Sequence, residues 1–414
     1  MINNTKGISS VTITIVLTMI GMLVFVSILF FPQHYTSANS SQKTSQVKKI
    51  KLTMHGIPNT TISYNKKWPD TLLRGLNTKV YILNKKTRPH AELYLSDKDF
   101  LNFIEWRVNV IRVPINVDWD SIWNIKKGEK LPEIPKDDPL SPYRKHLHGL
   151  ENTLILAKKY NINVIVTLGN VAGRRIDVLY NEDDGSGYYK ELPKLWDYIA
   201  LKFGKNPNLL AYDILNEPVE KKGKHSWREI ILPDLIKKIR LIDKDTYLVI
   251  EASWGGAKAL KKFKPVSDKR SIYSFHFYAP HNFTHQGIRG IPRGYKYPGR
   301  IKRYNNSPEI EWDQARLESK LQDAVEFQRK YDTRILVGEF GAVRWASGAQ
   351  NYLRDSILLF EKFGWDWCFH SYGGWNGFNP TFYSDDPQYN AYNGGRETRR
   401  LEILKMSWGK NEIE

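Results

Sequence analysis

The sequence predicts an α/β chain closed into a (β/α)8 barrel, preceded by an N-terminal membrane-spanning segment. Three observations carry the barrel. Eight short apolar, β-rich runs succeed one another after about residue 50, and apolar residues fall at helical spacing in several of the stretches between them. Polar and charged residues recur where the runs end, the place where a barrel of this kind carries its functional groups. The length of 414 residues suits one such barrel with extensions, because the fold takes ~250 residues and over ~400 with insertions.

The expected strands run in order. They are LLRGLN (72–77), NVIRVPI (109–115), NVIVTLGN (163–170), LLAYDILN (209–216), TYLVIEA (246–252), SIYSFHFY (271–278), RILVGEF (334–340) and WDWCFHSY (365–372). Most are continuous apolar runs, as strands buried on both faces require. Leu192, Leu195, Trp196, Ile199, Ala200 and Phe203 form a helical stripe that Gly204 stops. Leu317, Leu321, Ala324 and Val325 mark a second stripe, and Leu353, Ile357 and Phe360 a third, ended by Gly364. Alternating strands and helices argue for parallel pairing. An open doubly wound sheet is the alternative, but no GxGxxG or P-loop follows the first run.

Residues 11–31 contain no charge. The run is close to the ~20 residues that cross a bilayer and longer than the ~7–15 apolar residues of a cleaved signal. Residues 1–31 are therefore expected to be an uncleaved anchor, 32–50 a Ser-, Gln-, Thr- and Lys-rich tether, and 51–414 the folded domain. Cleavage near Thr36–Ala38, giving a secreted form, is the alternative. Lys6 precedes the run and Lys43, Lys48, Lys49 and Lys51 follow it, a balance that by charge alone would leave the domain inside. The chemistry expected below favours substrates outside the cytoplasm.

The net charge is +18, which attracts polyanions. The lysines are scattered and no nucleic-acid motif is present, so no nucleic-acid partner is expected. General solubility accounts for most of the charge; an anionic envelope or acidic polysaccharide is a second reading. The single cysteine, Cys368, excludes an intrachain disulfide and any cysteine metal site. No His-x-His ends the first run and no HExxH occurs, so neither metal nor cofactor is expected. Thirteen tryptophans suit either an aromatic core or flat ligands such as sugars.

The strand ends bring Arg112, Asn216, Glu217, His276, Tyr278 and Glu339 toward one mouth, with Trp254 after the fifth run and Trp375 after the eighth. Polar groups there are costly to bury unless paired. Glu217 and Glu339 close the fourth and seventh runs, nearly opposite each other in a barrel. Two carboxyl groups flanking one bond are what glycoside hydrolysis needs, one protonating the leaving oxygen and the other attacking the anomeric carbon. Arg112 and Tyr278 are placed to keep Glu339 ionised, and Asn216 to bind a sugar 2-hydroxyl. His276 suits a carboxylate, a sugar hydroxyl or a structural role.

RGLN, NVIRVPI, LNEP, HFYAPHNFTHQG and VGEFG, in that order from about Leu72 to Phe382, together resemble glycoside hydrolase family 5, the cellulase family of retaining TIM-barrel glycosidases. The resemblance implies that Glu217 is the acid/base and Glu339 the nucleophile, with Arg112, Asn216, His276 and Tyr278 in support. Two stretches depart from the family. Its third strand usually ends in a histidine, where this chain reads TLGNVAG, with Gly169 or Asn170 in that place; the loop GGWNGFNP also differs. Trp254, Trp345 and Trp375 are candidate stacking platforms. The expected activity is hydrolysis of a β-glucan, endo-acting, on a polysaccharide or oligosaccharide substrate. The alternatives are a mannanase, a 1,3-glucanase, a transglycosylase, or a weakly catalytic polysaccharide-binding protein of an envelope or biofilm assembly.

Overall fold

The computed structural model describes residues 66–79, 94–116, 137–138, 140–169, 192–220, 226–304, 306–373, 375–382 and 397–411, together with Thr18–Met19 and Met22–Leu23. The chain divides into units 1–60 and 61–414. In the first, Thr18–Met19 pairs antiparallel with Met22–Leu23. The rest of the apolar run 11–31 and the tether 32–50 lie outside the described residues. Among those described, no helix is long and apolar enough to cross a membrane.

In the second unit all eight expected runs become strands. They are β1 (Arg74–Thr78), β2 (Val110–Ile115), β3 (Asn163–Leu168), β4 (Leu209–Asp213), β5 (Tyr247–Gly256), β6 (Ser271–Phe277), β7 (Ile335–Phe340) and β8 (Asp366–Tyr372). Each pairs in parallel with the next, and β8 returns to β1 to close the barrel. Helices α1 (Asp97–Glu105), α2 (Arg144–Tyr160), α3 (Leu192–Phe203), α4 (Leu232–Ile242), α5 (Ala257–Leu260), α6 (Gln322–Tyr331), α7 (Ala349–Lys362) and α8 (Arg399–Trp408) follow the strands in turn. The stripe 192–203 is α3, and all six of its apolar residues are buried. The stripe 317–325 is not one helix: it breaks at Lys320 into a short helix Gln314–Ser319 and α6. The connection from β6 to β7 also holds an antiparallel hairpin, Gly299–Lys302 with Glu309–Trp312, which apolar periodicity did not announce.

Side chains alternate between the two faces of a strand, and here the alternation sorts chemistry by height. The inward residues near the strand starts are Leu73, Val110, Ile165, Ala211, Val249, Ile272, Leu336 and Cys368, one apolar cluster stoppered by Trp68. Two residues further on, the same inward rows read Arg112, Thr167, Asp213, Glu251 and His370, and β1 contributes Asn77. The outward faces carry Ile111, Val164, Tyr212, Leu248, Phe275, Val337 and Trp367 into the helical layer. Burial of the inward and outward apolar rows gives a rigid base, at ~25 cal/mol per Å² removed from water, on which the polar layer stands.

Gly75 occupies an inward position on β1 tight against Val110 of β2. A Cβ there would lie 1.9 Å from the Val110 carbonyl oxygen and 2.5 Å from its side chain. Gly75→Ala must therefore push two paired strands apart. The expected cost is ~3 kcal/mol of stability, read as a lower urea midpoint with an unchanged m-value.

Candidate active site

The polar layer is organised by one cation. Arg112 is 1% exposed and reaches acceptors on five other strands or their ends. Its Nε donates to Asp213 Oδ2 at 2.7 Å. Nη1 donates to Asn77 Oδ1 at 2.9 Å and to Glu339 Oε1 at 3.0 Å. Nη2 donates to Asn216 Oδ1 at 2.8 Å, Glu251 Oε1 at 2.9 Å and, at 3.4 Å, Thr167 Oγ1. A guanidinium can only donate, so these contacts fix amide orientation. Asn77 must turn its oxygen to Arg112, leaving Nδ2 to bond the Gly338 carbonyl at 2.8 Å. Asn216 likewise turns its oxygen to Arg112, which leaves its NH2 group for another partner.

Glu339 sits on β7 with Oε1 on Arg112 and Oε2 accepting from the Tyr278 hydroxyl at 2.9 Å. His276 Nδ1 and His370 Nδ1 stand 3.7 and 3.5 Å from Oε2. Burial pushes the Glu339 carboxyl up, but the charges of His276, His370 and Arg112 and the Tyr278 bond outweigh it, holding the group well below the ordinary carboxylate range. Glu217 follows β4. Its backbone N–H donates to Glu251 Oε2 at 2.8 Å, and Oε1 lies 2.8 Å from His276 Nδ1. Glu217 has φ 45° and Trp254 φ 59°, left-handed conformations that are costly outside glycine and cluster at functional sites. One oxygen of Glu217 and one of Glu339 lie within 4.8 Å of each other.

His276 bridges the two halves. Burial alone would lower its pKa, but Glu251 and Glu339, with the bonds to Glu217 and Glu251, raise it well above normal. It is therefore a cation at neutral pH. Glu251 is held low mainly by His276, against its burial. Asp213 is pushed up to about 7 by burial, against the pull of Arg112 and with the help of Glu251. Two cations thus face two carboxylates held low, while burial works the other way on Asp213. Glu217, His276 and Glu339 each offer one atom at cation-binding spacing. A protonated imidazole has no lone pair to give, and Arg112 already neutralises Glu339, so this donor set fits a metal poorly.

Arg112, Asn216, Glu217, His276, Tyr278 and Glu339 all converge as the sequence suggested. Tyr278 lies one residue beyond β6 and Trp254 inside the extended end of β5. The tryptophans divide. Trp254 lines the cleft and is 62% exposed. Trp375 is 49% exposed and packs edge-on against Phe378, itself a cleft residue. Trp345 is half-buried, its indole N–H donating to the Gln286 carbonyl at 2.7 Å and its ring edge-on to Trp375 at 5.7 Å. Asn170 lies outside the described residues. At Gly169 an added Cβ would fall 1.7 Å from Asn116 Oδ1, so the end of β2 fills the space where a third-strand side chain would begin. Asn77, Asp213, Glu251 and His370 were not singled out from sequence. The signal for each was its place in the inward row of an apolar run.

The cleft above these groups measures about 530 Å³, within the ~300–1,000 Å³ of small-ligand sites. The family model described as cellulase (glycosyl hydrolase family 5) matches residues 70–376. The chain belongs to glycosyl hydrolase family 5. It is thus a hydrolase of O-glycosyl bonds with a carbohydrate substrate. This family 5 chain is 24% identical over 302 residues to endoglucanase C of Acetivibrio thermocellus, covering 67% of the chain and 83% of that protein. It is 24% identical over 285 residues to cellodextrinase A of Ruminococcus flavefaciens, covering 67% and 78%. Its fold is similar to Thermotoga maritima Cel5A, solved with cellobiose and with mannotriose, at TM-scores 0.58 and 0.59, 24% identity, and coverage of 80% of this chain and 97% of that one.

Proposed function

We propose that the chain is a retaining, endo-acting β-glucan hydrolase in which Glu339 is the nucleophile and Glu217 the acid/base. The single observation that carries the mechanism is the closeness of the two carboxylates. One oxygen of each within 4.8 Å of the other fits the close spacing of retaining pairs, ~5–5.5 Å, better than the ~6.5–9.5 Å of inverting pairs. Their environments support these roles. Glu339, buried and clamped by Arg112 and Tyr278, stays ionised to attack the anomeric carbon. Glu217, whose side chain is one-third exposed, protonates the departing oxygen. A glycosyl ester then forms on Glu339, and its charge leaves the cluster. Glu217 next accepts a proton from water as that water attacks the anomeric carbon and releases Glu339. The NH2 of Asn216 is placed to hold the sugar 2-hydroxyl, and Trp254 offers an exposed ring to a sugar face.

The substrate class rests on likeness to endoglucanases, and a panel tests it. Reducing ends and viscosity would be followed together on β-1,4-glucan, β-1,3-glucan and β-mannan. The expected result is a faster fall in viscosity on the β-1,4-glucan than its reducing ends imply, with the β-anomer appearing first by proton NMR. A first-formed α-anomer would sink the retaining mechanism, and faster cutting of mannan would reassign the substrate. We also place the barrel outside the cytoplasm, tethered by the apolar run 11–31, because its polymeric substrates are met there. Fractionation with protease protection of intact cells checks this.

The low pKa of Glu339 sets a pH expectation. Its ionised form persists below the ~4.3 of a free glutamate, so kcat/KM should not fall on the acid side until well below that value. His276 is the largest favourable influence on Glu339. In His276→Gln the acid limb should move up toward neutrality, with kcat/KM at its optimum lowered by ~10²-fold. An unmoved limb would show that His276 does not tune Glu339. The stability linkage has the matching sign. A depressed folded pKa makes Glu339 stabilising above ~4.3, and that contribution is lost as pH falls through the folded value.

A further inference from the structure

One wall of the cleft is not used by this mechanism. It comes from α5 and the long β6–β7 connection, and carries Lys258, Arg303, Tyr304, Lys320, His281 and His285. Its composition is one-sided. The only carboxylates that line the described cleft are Glu217 and Glu339, and Arg112 and His276 already answer those. Among the described residues, Lys258, Arg303 and Lys320 make no ion pair. Arg303 stands beside the Tyr304 ring at 5.2 Å, and its Nε is buried with no hydrogen-bond partner. Lys320 is half-buried over Trp312 at 5.9 Å. Burial and the charges of Arg303 and Arg316 push it below the usual lysine range. Cations that crowd each other with no counter-charge are held at a cost, and a bound anion would relieve it. His281 and His285 stack at 4.2 Å; burial holds both below the usual imidazole range, His285 to about 3. They line the wall as neutral groups able to donate N–H bonds.

We propose that this wall is a subsite for an oxyanion carried by the sugar chain, so that the enzyme acts on an acidic β-glucan. The inference rests on the glycosidase reading above and adds the substrate's charge to it. Arg303 offers a planar, multi-donor face suited to a carboxylate or phosphate, and Lys320 and Lys258 add point charge. The group would sit on a sugar next to the scissile bond, because the same cleft holds Glu217 and Glu339.

The test compares the full chain on carboxymethyl, phosphorylated and hydroxyethyl cellulose at matched substitution. The readout is kcat/KM on each anionic polymer divided by kcat/KM on the neutral one. A ratio is insensitive to the folded fraction of a variant. The wild-type ratio should exceed one by about tenfold at low salt for at least one anionic polymer. It should fall toward one in the Arg303→Gln/Lys320→Gln double variant, and also as salt screens the wall. Preference for carboxymethyl or for phosphorylated polymer names the group. A wild-type ratio of one or less, or a ratio untouched by the double substitution, overturns the proposal. If no polymer is cut, the glycosidase reading fails by itself. Calorimetric binding of cello-oligosaccharides bearing a glucuronate or a 6-phosphate, against the unsubstituted oligosaccharide, then decides the anion site separately. Tighter binding that Arg303→Gln abolishes supports it, and equal binding ends it.

Discussion

Glu339→Gln is expected to lower kcat by ~10⁴–10⁶-fold while leaving the fold intact. The amide keeps the size of the carboxylate and can still bond Tyr278, so packing is preserved. It cannot donate an electron pair to the anomeric carbon, and the glycosyl ester cannot form. Glu217, the proposed acid/base, should behave differently. Glu217→Ala should be weakest on substrates with poor leaving groups, by ~10²–10⁴-fold. On an aryl glycoside whose leaving group needs no proton, the second step should limit. Added azide should restore turnover there, because azide attacks the ester without a general base. Burst kinetics with and without azide read this directly. Equal activity of both variants and wild type would remove these two glutamates from the reaction.

Arg112→Met is expected to cost ~3–5 kcal/mol of stability, the largest effect of any single change in the polar layer. The reason is what it leaves behind. Asp213, Glu251 and Glu339 each bond Arg112, and two of them are 0% exposed. Without the guanidinium, buried carboxylates face one another with only His276 to answer them. They would take up protons instead, so the penalty should shrink as pH falls. Urea unfolding of variant and wild type at several pH values measures that convergence. Arg112→Lys should recover little, because an ammonium has three donors on one atom and cannot span acceptors on so many strands. A variant of undiminished stability at neutral pH would mean that the layer is held together by packing alone.

Much of the barrel was legible because local and global requirements agree. A run such as NVIVTL is apolar on both faces because β3 is covered on both faces, and α3 ends at Gly204 as its stripe does. The split after Lys320 was not legible, since a stripe at helical spacing reads the same through two short helices as through one. The hairpin Gly299–Lys302 with Glu309–Trp312 also escaped, because its strands are only four residues long and half of their residues are exposed. At the site, Glu217 and Glu339 stand out by ending apolar strands. Glu251 and Asp213 are hidden inside such runs, where a charge looks like an interruption until the inward row is known. At Trp345 the sequence offers a ring but not its setting, and the bond to Gln286 and the edge-on contact with Trp375 come from the fold.

The sequence by itself determined which segments are the barrel strands, how many the barrel has, and which two glutamates stand at strand ends. Those properties follow from burial and from the two-residue period of a strand, both local to a few residues. Tertiary structure alone decided what surrounds the glutamates. Closing β8 onto β1 brings Asn77, Arg112, Asp213, Glu251, His276 and His370 within reach of one another, and the protonation state of each depends on the charges of the rest. Electrostatic coupling acts through space across the barrel, between residues hundreds of positions apart. The same closure lays the β6–β7 connection over one side of the cleft that Glu217 and Glu339 line, where Arg303 and Lys320 form no ion pair among the described residues.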